Sequence, residues 1–318
     1  MQENLHTQLE SDTDTVQVKK MNPLVSIIVI TYNSSKYVLE TLESAKTQTY
    51  QNIELIVSDD FSTDDTVGVC RKWIEANKKQ FVSTNLITVS ANTGIPANCN
   101  RGIKASKGEW IKLIAGDDLL TPNCLVDNID FIRRTIGAKF IFSDMSYFKS
   151  GHGDNIVIKK TKSDNLIFAS DSNLQYRHLV LVGNFVYAPT SFCNTKSLVQ
   201  YGLFDERIPL VEDFPMWLKI TKAGEKLFLL DKITILYRQH DASINSSSSK
   251  SNKYNLALWK VYKNYIMKDA FRFNFFTGWH LLIIYWIACY NRDKINLRKY
   301  ALLLSPHFYY NKSFRKKI

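Results

Sequence analysis

Glycine is scarce in this chain, 12 in 318 residues, and none occurs before Gly68. The first strand–turn–helix crossing, Thr31-Tyr32-Asn33-Ser34, thus has no glycine that would let the backbone close on a phosphate. That excludes a G-x-G-x-x-G dinucleotide fingerprint or a P-loop at this turn. Cysteine is scarce as well. The five thiols (70, 99, 124, 193, 289) are odd in number and form no C-x-x-C pair. This argues against a zinc site or a disulfide framework and fits a reducing cytoplasm. Long apolar runs are missing too: Trp279–Tyr290 is twelve residues, too short to span a bilayer. The earlier run Leu24–Ile30 reads as a strand rather than a secretory signal. Finally, acid is nearly absent from the C-terminal end. Residues 250–318 hold 14 Lys/Arg against two Asp/Glu, whereas the first 249 hold 27 against 28. The net charge of +11 therefore belongs to one segment, which implies a local basic attachment surface and no nucleic-acid partner.

What is present is an alternation of strand and helix. Val25–Ile30, Ile53–Ser58, Leu86–Ser90 and residues 110–115 read as strands. Helical patterns follow at 37–45, from Thr66, and at 97–106. This spacing predicts an α/β fold with a doubly wound, mainly parallel sheet. Further along, 123–136 reads as a helix, Lys139–Phe148 as a strand, and 149–175 as a polar, mobile or variable loop. A helix from about Phe214 to Ala223 has Pro215 in its first turn. Strand-like Leu227–Leu230 and Thr234–Tyr237 close the body. Residues 1–22 lack periodicity and read as a disordered lead-in, and 245–251 read as a polar linker.

The chemistry centres on Gly116-Asp117-Asp118, directly after the apolar strand 110–115. Acids at the carboxyl end of a strand lie where open α/β sheets bind ligands. Two adjacent aspartates repel each other unless a cation sits beside them, and a divalent ion holding a diphosphate suits carboxylate oxygens. The alternative is a capped, solvated turn. The first turn offers Tyr32 for stacking on a base, with Thr31 and Asn33 for bonding its edge. The second strand runs into Ser58-Asp59-Asp60, where one carboxylate could accept from a base N–H or a ribose hydroxyl.

In order, six elements carry a likeness: Val25-Ser-Ile-Ile-Val-Ile-Thr-Tyr-Asn33, Val57-Ser-Asp-Asp-Phe-Ser-Thr-Asp64, Asn92-Thr-Gly94 through Asn100-Arg-Gly102 to Lys107-Gly-Glu109, Ala115-Gly-Asp-Asp118, Gly202-Leu-Phe-Asp205 through Val211-Glu-Asp213 to Trp217-Leu-Lys219, and Tyr237-Arg-Gln-His240. Over roughly residues 23–244 the chain resembles the family-2 glycosyltransferases of GT-A fold, of the bacterial glycan-building type. The resemblance implies a nucleotide-binding half (23–120) and an acceptor half (121–244). It implies an inverting transfer from a nucleotide-sugar, UDP-linked in expectation, with Mn²⁺ or Mg²⁺ as cofactor and a saccharide or lipid-linked acceptor. By the likeness Tyr32 and Asp60 contact the base, with Thr31, Asn33, Asn92 and Asn100 also on the donor side. Asp117 and Asp118 serve the ribose–diphosphate region. Asp118 and His240 are the metal candidates, and Asp213 is favoured over Glu212 as the acceptor's base. Two departures stand out: Phe61 where the family often has Gly after the two aspartates, and Cys99 where an Arg commonly precedes the matching Asn100. A sugar nucleotidyltransferase would want a glycine-rich basic loop after the first strand, which this chain lacks. A catalytically inactive scaffold of the same fold is the other alternative.

Beyond the linker, 252–318 is basic, aromatic and helical in pattern. Trp279–Tyr290, flanked by lysines and arginines, suits interfacial anchoring on the inner face of an anionic membrane. Packing back onto the body, or a dimer contact, is the competing reading.

Overall fold

The computed structural model describes residues 22–150, 155–161, 163–239 and 248–290. The expected lead-in up to residue 21, His240 and the chain beyond 290 lie outside the described residues. Among the described residues nine strands form one mixed sheet: β1 (Val25–Thr31), β2 (Ile53–Asp59), β3 (Ser83–Ile87), β4 (Trp110–Ala115), β5 (Leu119–Leu120), β6 (Phe140–Ser150), β7 (Asn155–Lys160), β8 (Phe192–Asn194) and β9 (Leu227–Arg238). Their order is β3-β2-β1-β4-β8-β6-β9-β5, with β7 paired to β6. Strands β1 to β4 run parallel, as do β6 and β9, whereas β8, β5 and β7 are antiparallel to their neighbours.

The apolar strands are buried on both faces, as a parallel sheet covered by helices requires. Along β1, Ile28 packs into the core on one face, with Ile56 and Ile111, while Val25, Ile27 and Val29 pack into the other, with Leu55, Val57 and Ile114. That alternation is the two-residue period of a strand. Helices α1 (Val38–Lys46), α2 (Thr66–Asn77), α3 (Ile95–Ala105) and α4 (Cys124–Arg134) connect the first strands. Cys70, Cys99, Cys124 and Cys193 are buried free thiols.

The expected loop at 149–175 is instead largely ordered: β6 extends to residue 150, β7 follows, then α5 (Asn165–Ala169) and α6 (Ser172–Leu181). Two of its polar residues, Thr161 and Ser163, point inward. Asp144, buried on β6, accepts from the Ser163 amide (2.8 Å), the Ser163 hydroxyl (2.9 Å) and the Thr161 hydroxyl (3.1 Å). Hydrogen bonds to one carboxylate, together with Phe168 in the core, hold the segment. β3 sits three residues earlier than expected, and 227–238 is a single strand rather than two.

After α7 (Thr195–Gln200) and α8 (Asp213–Lys222), the chain continues in α9 (Ser248–Val261), a π-turn at Tyr262–Ile266, α10 (Met267–Phe273) and α11 (Phe275–Tyr290). Residues 248–251, expected in a linker, thus open α9. Ala257, Val261, Ile266, Ala270 and Leu281 join the core of the body, and Asp269 binds the Tyr176 hydroxyl (2.6 Å) and Lys222 (2.7 Å). The front of the C-terminal segment is therefore part of the folded domain. No helix among the described residues is long and apolar enough to cross a membrane.

Candidate active site

The parallel register brings three strand ends together. Thr31 pairs with Asp59 across β1–β2, and Ile30 pairs with Ala115 across β1–β4. The turns that follow these strands consequently share one edge of the sheet. Gly116 is required there: a Cβ on it would lie 2.8 Å from the Thr31 methyl and 3.2 Å from the Ser34 Cβ.

The first two turns are stitched to each other. The Thr31 hydroxyl donates to Asp59 (2.8 Å), which also accepts from the Ser62 amide (2.8 Å). The Asn33 amide donates to the Ser62 hydroxyl (2.8 Å), and the Asn33 side-chain oxygen accepts from the Thr63 amide (2.8 Å). Asn33 and Phe61 both hold left-handed backbone, φ 52° and 66°. The second value explains why glycine suits the position after the two aspartates. Tyr32 and Phe61, 52% and 45% exposed, present aromatic rings on these adjoining turns. Phe61 registered in the sequence only as a departure from the family pattern.

Asp60 is buried beneath them. Its amide donates to the Thr31 carbonyl (3.0 Å). Its carboxylate accepts from the Thr93 amide (3.1 Å) and hydroxyl (2.6 Å), the Gly94 amide (2.7 Å) and Arg101 (2.9 Å). Burial on its own would raise its pKa, but these donors hold it below the usual carboxylate value. Asn92 adds a bond to the Asp60 carbonyl (3.1 Å). Asp60 therefore fixes the 92–94 loop along the site. Arg101 also reaches Asn98 (3.0 Å), whose amide nitrogen donates to the Thr31 carbonyl (3.3 Å). Asn98 and Arg101 are the polar supports of this corner, and sequence reasoning placed neither. Asn100, expected on the donor side, faces elsewhere. Its amide binds the Phe204 carbonyl (2.9 Å) and Glu206 (2.8 Å), and its oxygen accepts from the Phe204 amide (3.0 Å). It braces the 202–206 turn.

At the end of β4, Asp118 is buried and accepts from the Arg238 amide (2.9 Å). Burial, then the charge of Asp117, push its pKa well above the carboxylate range. The fully buried Arg238 guanidinium lies 4.6 Å from the Tyr37 ring centroid and 4.5 Å from that of Phe148. It donates to the Asp117 carbonyl (2.7 Å) and Glu40 (2.8 Å). Arg238 thus locks the end of β9 over the two aspartates. Two adjacent acids, one buried with its ionised form disfavoured, are hard oxygen donors whose charge a divalent cation would balance, and this pair fits such an ion. Among the described residues no three His, Cys, Asp or Glu side chains converge on one point, and the other expected ligand, His240, lies outside them.

The other acid pair opens α8. Asp213 accepts from the Asn184 amide (2.9 Å). Burial, then Asp213, push Glu212 up to about 7. Burial likewise raises Asp213, against opposing hydrogen bonds. The pair lies near α3, because Cys99 on that helix shares a core with Val211 and Phe214, which flank the two acids; burial first and then the Glu212 charge push the Cys99 thiol up. One face of α3 thus serves the Asp60 corner through Asn98 and Arg101, and another adjoins the acids. Lys112, buried in β4, ties in the segment after Asn184 by donating to the Pro189 (2.7 Å) and Ser191 (3.2 Å) carbonyls. Burial lowers its pKa.

Residues 26–181 match the model of the family described as glycosyl transferase family 2. An uncharacterized glycosyltransferase of Rickettsia typhi is 26% identical over 254 residues, covering 78% of this chain and 74% of that one. Escherichia coli WfaP, named a UDP-Glc:alpha-D-GlcNAc-diphosphoundecaprenol beta-1,3-glucosyltransferase, is 29% identical over 71% of this chain and 82% of its own. Other rickettsial relatives are longer, and the chain spans 39% of one from Rickettsia felis. Among solved structures, Staphylococcus aureus TarS in complex with UDP-GlcNAc aligns with a TM-score of 0.55 at 19% identity, covering 83% of this chain and 81% of that one. The mannosyltransferase PcManGT of Pyrobaculum calidifontis, with GDP-Man and Mn²⁺, aligns at 0.57 and 13% identity, covering 92% and 83%. These structural likenesses establish the fold.

Proposed function

We propose, from the match of residues 26–181 to glycosyl transferase family 2, that the chain moves a sugar from a UDP-linked donor to a saccharide hydroxyl with inversion at the anomeric carbon. The observation that carries this reading is the pairing of two acid sites. Asp117 and Asp118 lie at the end of β4, and Glu212 and Asp213 lie beside α3, the helix that supports the donor corner. In this reading Tyr32 and Phe61 receive the base, and the 92–94 loop, held by Asp60, flanks the nucleoside. Asp117 and Asp118 would hold a divalent cation, Mn²⁺ or Mg²⁺, which supplies charge neutralisation for the departing diphosphate. Asp213 takes the proton of the acceptor hydroxyl. That oxygen forms a bond to the anomeric carbon as the carbon–phosphate-oxygen bond breaks and UDP leaves with the electron pair. Asn184 orients the Asp213 carboxylate. Glu212, raised to about 7, lowers the total negative charge beside it when protonated.

The acceptor in this proposal is lipid-linked and presented at an anionic membrane. Two features support that placement. The C-terminal segment is basic, and Phe275, Phe276, Trp279 and Leu282 are exposed on α11. The mechanism is tested by proton NMR of the sugar released during slow hydrolysis of an α-linked UDP-sugar with Mn²⁺. The β anomer should form first. The α anomer forming first would overturn inversion, and failure to release sugar from any UDP-linked donor would overturn the reading.

A further inference from the structure

The segment beyond the family domain reaches the catalytic acids. Helix α9 lies along residues 205–213 in antiparallel register. The Tyr265 hydroxyl, just past the helix, binds Asp205 (2.6 Å), and Lys260 donates to the Arg207 carbonyl (3.1 Å). Ala257 and Val261, one turn apart, are buried in the same core as Ile208, Val211 and Phe214. Counting back one more turn along that stripe places Tyr254 at Glu212 and Asp213. The electrostatics agree: burial first, then the charges of Asp213 and Glu212, raise the Tyr254 phenol. The residue nevertheless remains 38% exposed. The buried indole N–H of Trp217, one turn after Asp213, favours the Asp213 charge. A partly exposed tyrosine and the candidate carboxylate base thus meet where α9 passes the start of α8.

We propose that Tyr254 forms the acceptor platform: its ring stacks on the saccharide ring whose hydroxyl is presented to Asp213. This rests on the glycosyltransfer reading above. An aromatic ring offers large, rigid contact area to the apolar face of a pyranose, while its polar edge remains hydrated. The platform would make acceptor choice a property of the C-terminal helices, separate from the donor turns of β1, β2 and β4.

The test uses the full chain with Mn²⁺ and a UDP-sugar that it hydrolyses. Methyl and octyl glycosides of hexoses and N-acetylhexosamines serve as acceptor probes. Tyr254→Ala should raise the KM for a stimulating glycoside by roughly 3–10-fold, with UDP affinity and acceptor-free donor hydrolysis unchanged. Tyr254→Phe should remain within about twofold of the parent, since the ring carries the contact. A parallel fall of hydrolysis and transfer in Tyr254→Ala would mean that the residue only supports the fold and would overturn the proposal. So would an unchanged acceptor KM, or a parent chain whose hydrolysis is active but which no glycoside stimulates. Absence of donor hydrolysis in the parent would instead overturn the glycosyltransfer reading beneath it.

Discussion

Replacing Glu212 by glutamine should make the protein more stable above pH 7, relative to the parent, than it does at pH 5. Burial and the neighbouring Asp213 raise Glu212 from 4.5 to about 7. The folded state therefore binds this proton more tightly than the unfolded state. The resulting stabilisation is fully present below about pH 4.5 and is lost as pH rises through about 7. At about 1.36 kcal/mol per pKa unit, that interval of about 2.5 units sets an upper bound of about 3.4 kcal/mol. Residual solvent access and charge sharing with Asp213 reduce the expected effect to about 1–2 kcal/mol. Glutamine keeps the shape and cannot ionise, so Glu212→Gln escapes the loss. Urea denaturation of both proteins at pH 5 and pH 8 measures it. The variant's stability relative to the parent should rise between the two pH values by about 1–2 kcal/mol. A difference independent of pH would refute the reasoning, because it would mean that Glu212 ionises as easily folded as unfolded.

Asp213→Asn should lower turnover by roughly 10²–10⁴-fold with donor affinity nearly unchanged; if it keeps near-normal turnover while Glu212→Gln does not, the base is Glu212. Arg101→Ala should cost about 3 kcal/mol in denaturant unfolding, because it strands the buried Asp60 carboxylate; a loss below about 1 kcal/mol would show that Thr93 and Gly94 suffice. The full chain should sediment with anionic liposomes and be partly released by salt, each Lys or Arg at the surface contributing about 1 kcal/mol over a Debye length of about 8–10 Å. Serine at Phe275, Phe276 and Trp279 should weaken the salt-resistant remainder, whereas unchanged sedimentation would assign those rings to another contact. These substitutions are preferable to truncation near residue 245, which would uncover core positions filled by Ala257 and Val261.

The sheet from β1 to β4 was legible because its signals are local. Runs such as Val25–Ile30 and 110–115 are long and apolar, and the acids sit directly at their ends. The chain beyond residue 120 was less so. At 149–175 a polar composition suggested a loop, because nothing local reveals that Asp144 gathers Thr161 and Ser163 inward. Arg238 could not be placed from sequence, since its partner Glu40 is 198 positions away and two aromatic rings enclose it. Asn100 and Asn98 are two residues apart on one helix and face opposite tasks. Only the packing of the 202–206 turn against α3 separates them. The packing reading of the C-terminal segment found support in the stripe that fills the core, whereas the membrane reading rests with the liposome experiment.

The central claim is that a nucleotide-sugar is bound at Asp117 and Asp118 and its sugar transferred there. The most direct measurement is release of UDP from UDP-sugars by the parent chain and by Asp118→Asn, each with and without Mn²⁺, with folding of the variant checked by circular dichroism. The account predicts metal-dependent UDP release by the parent and none by the folded variant. Equal release by both, or UDP release unaffected by the substitution and by Mn²⁺, would contradict it.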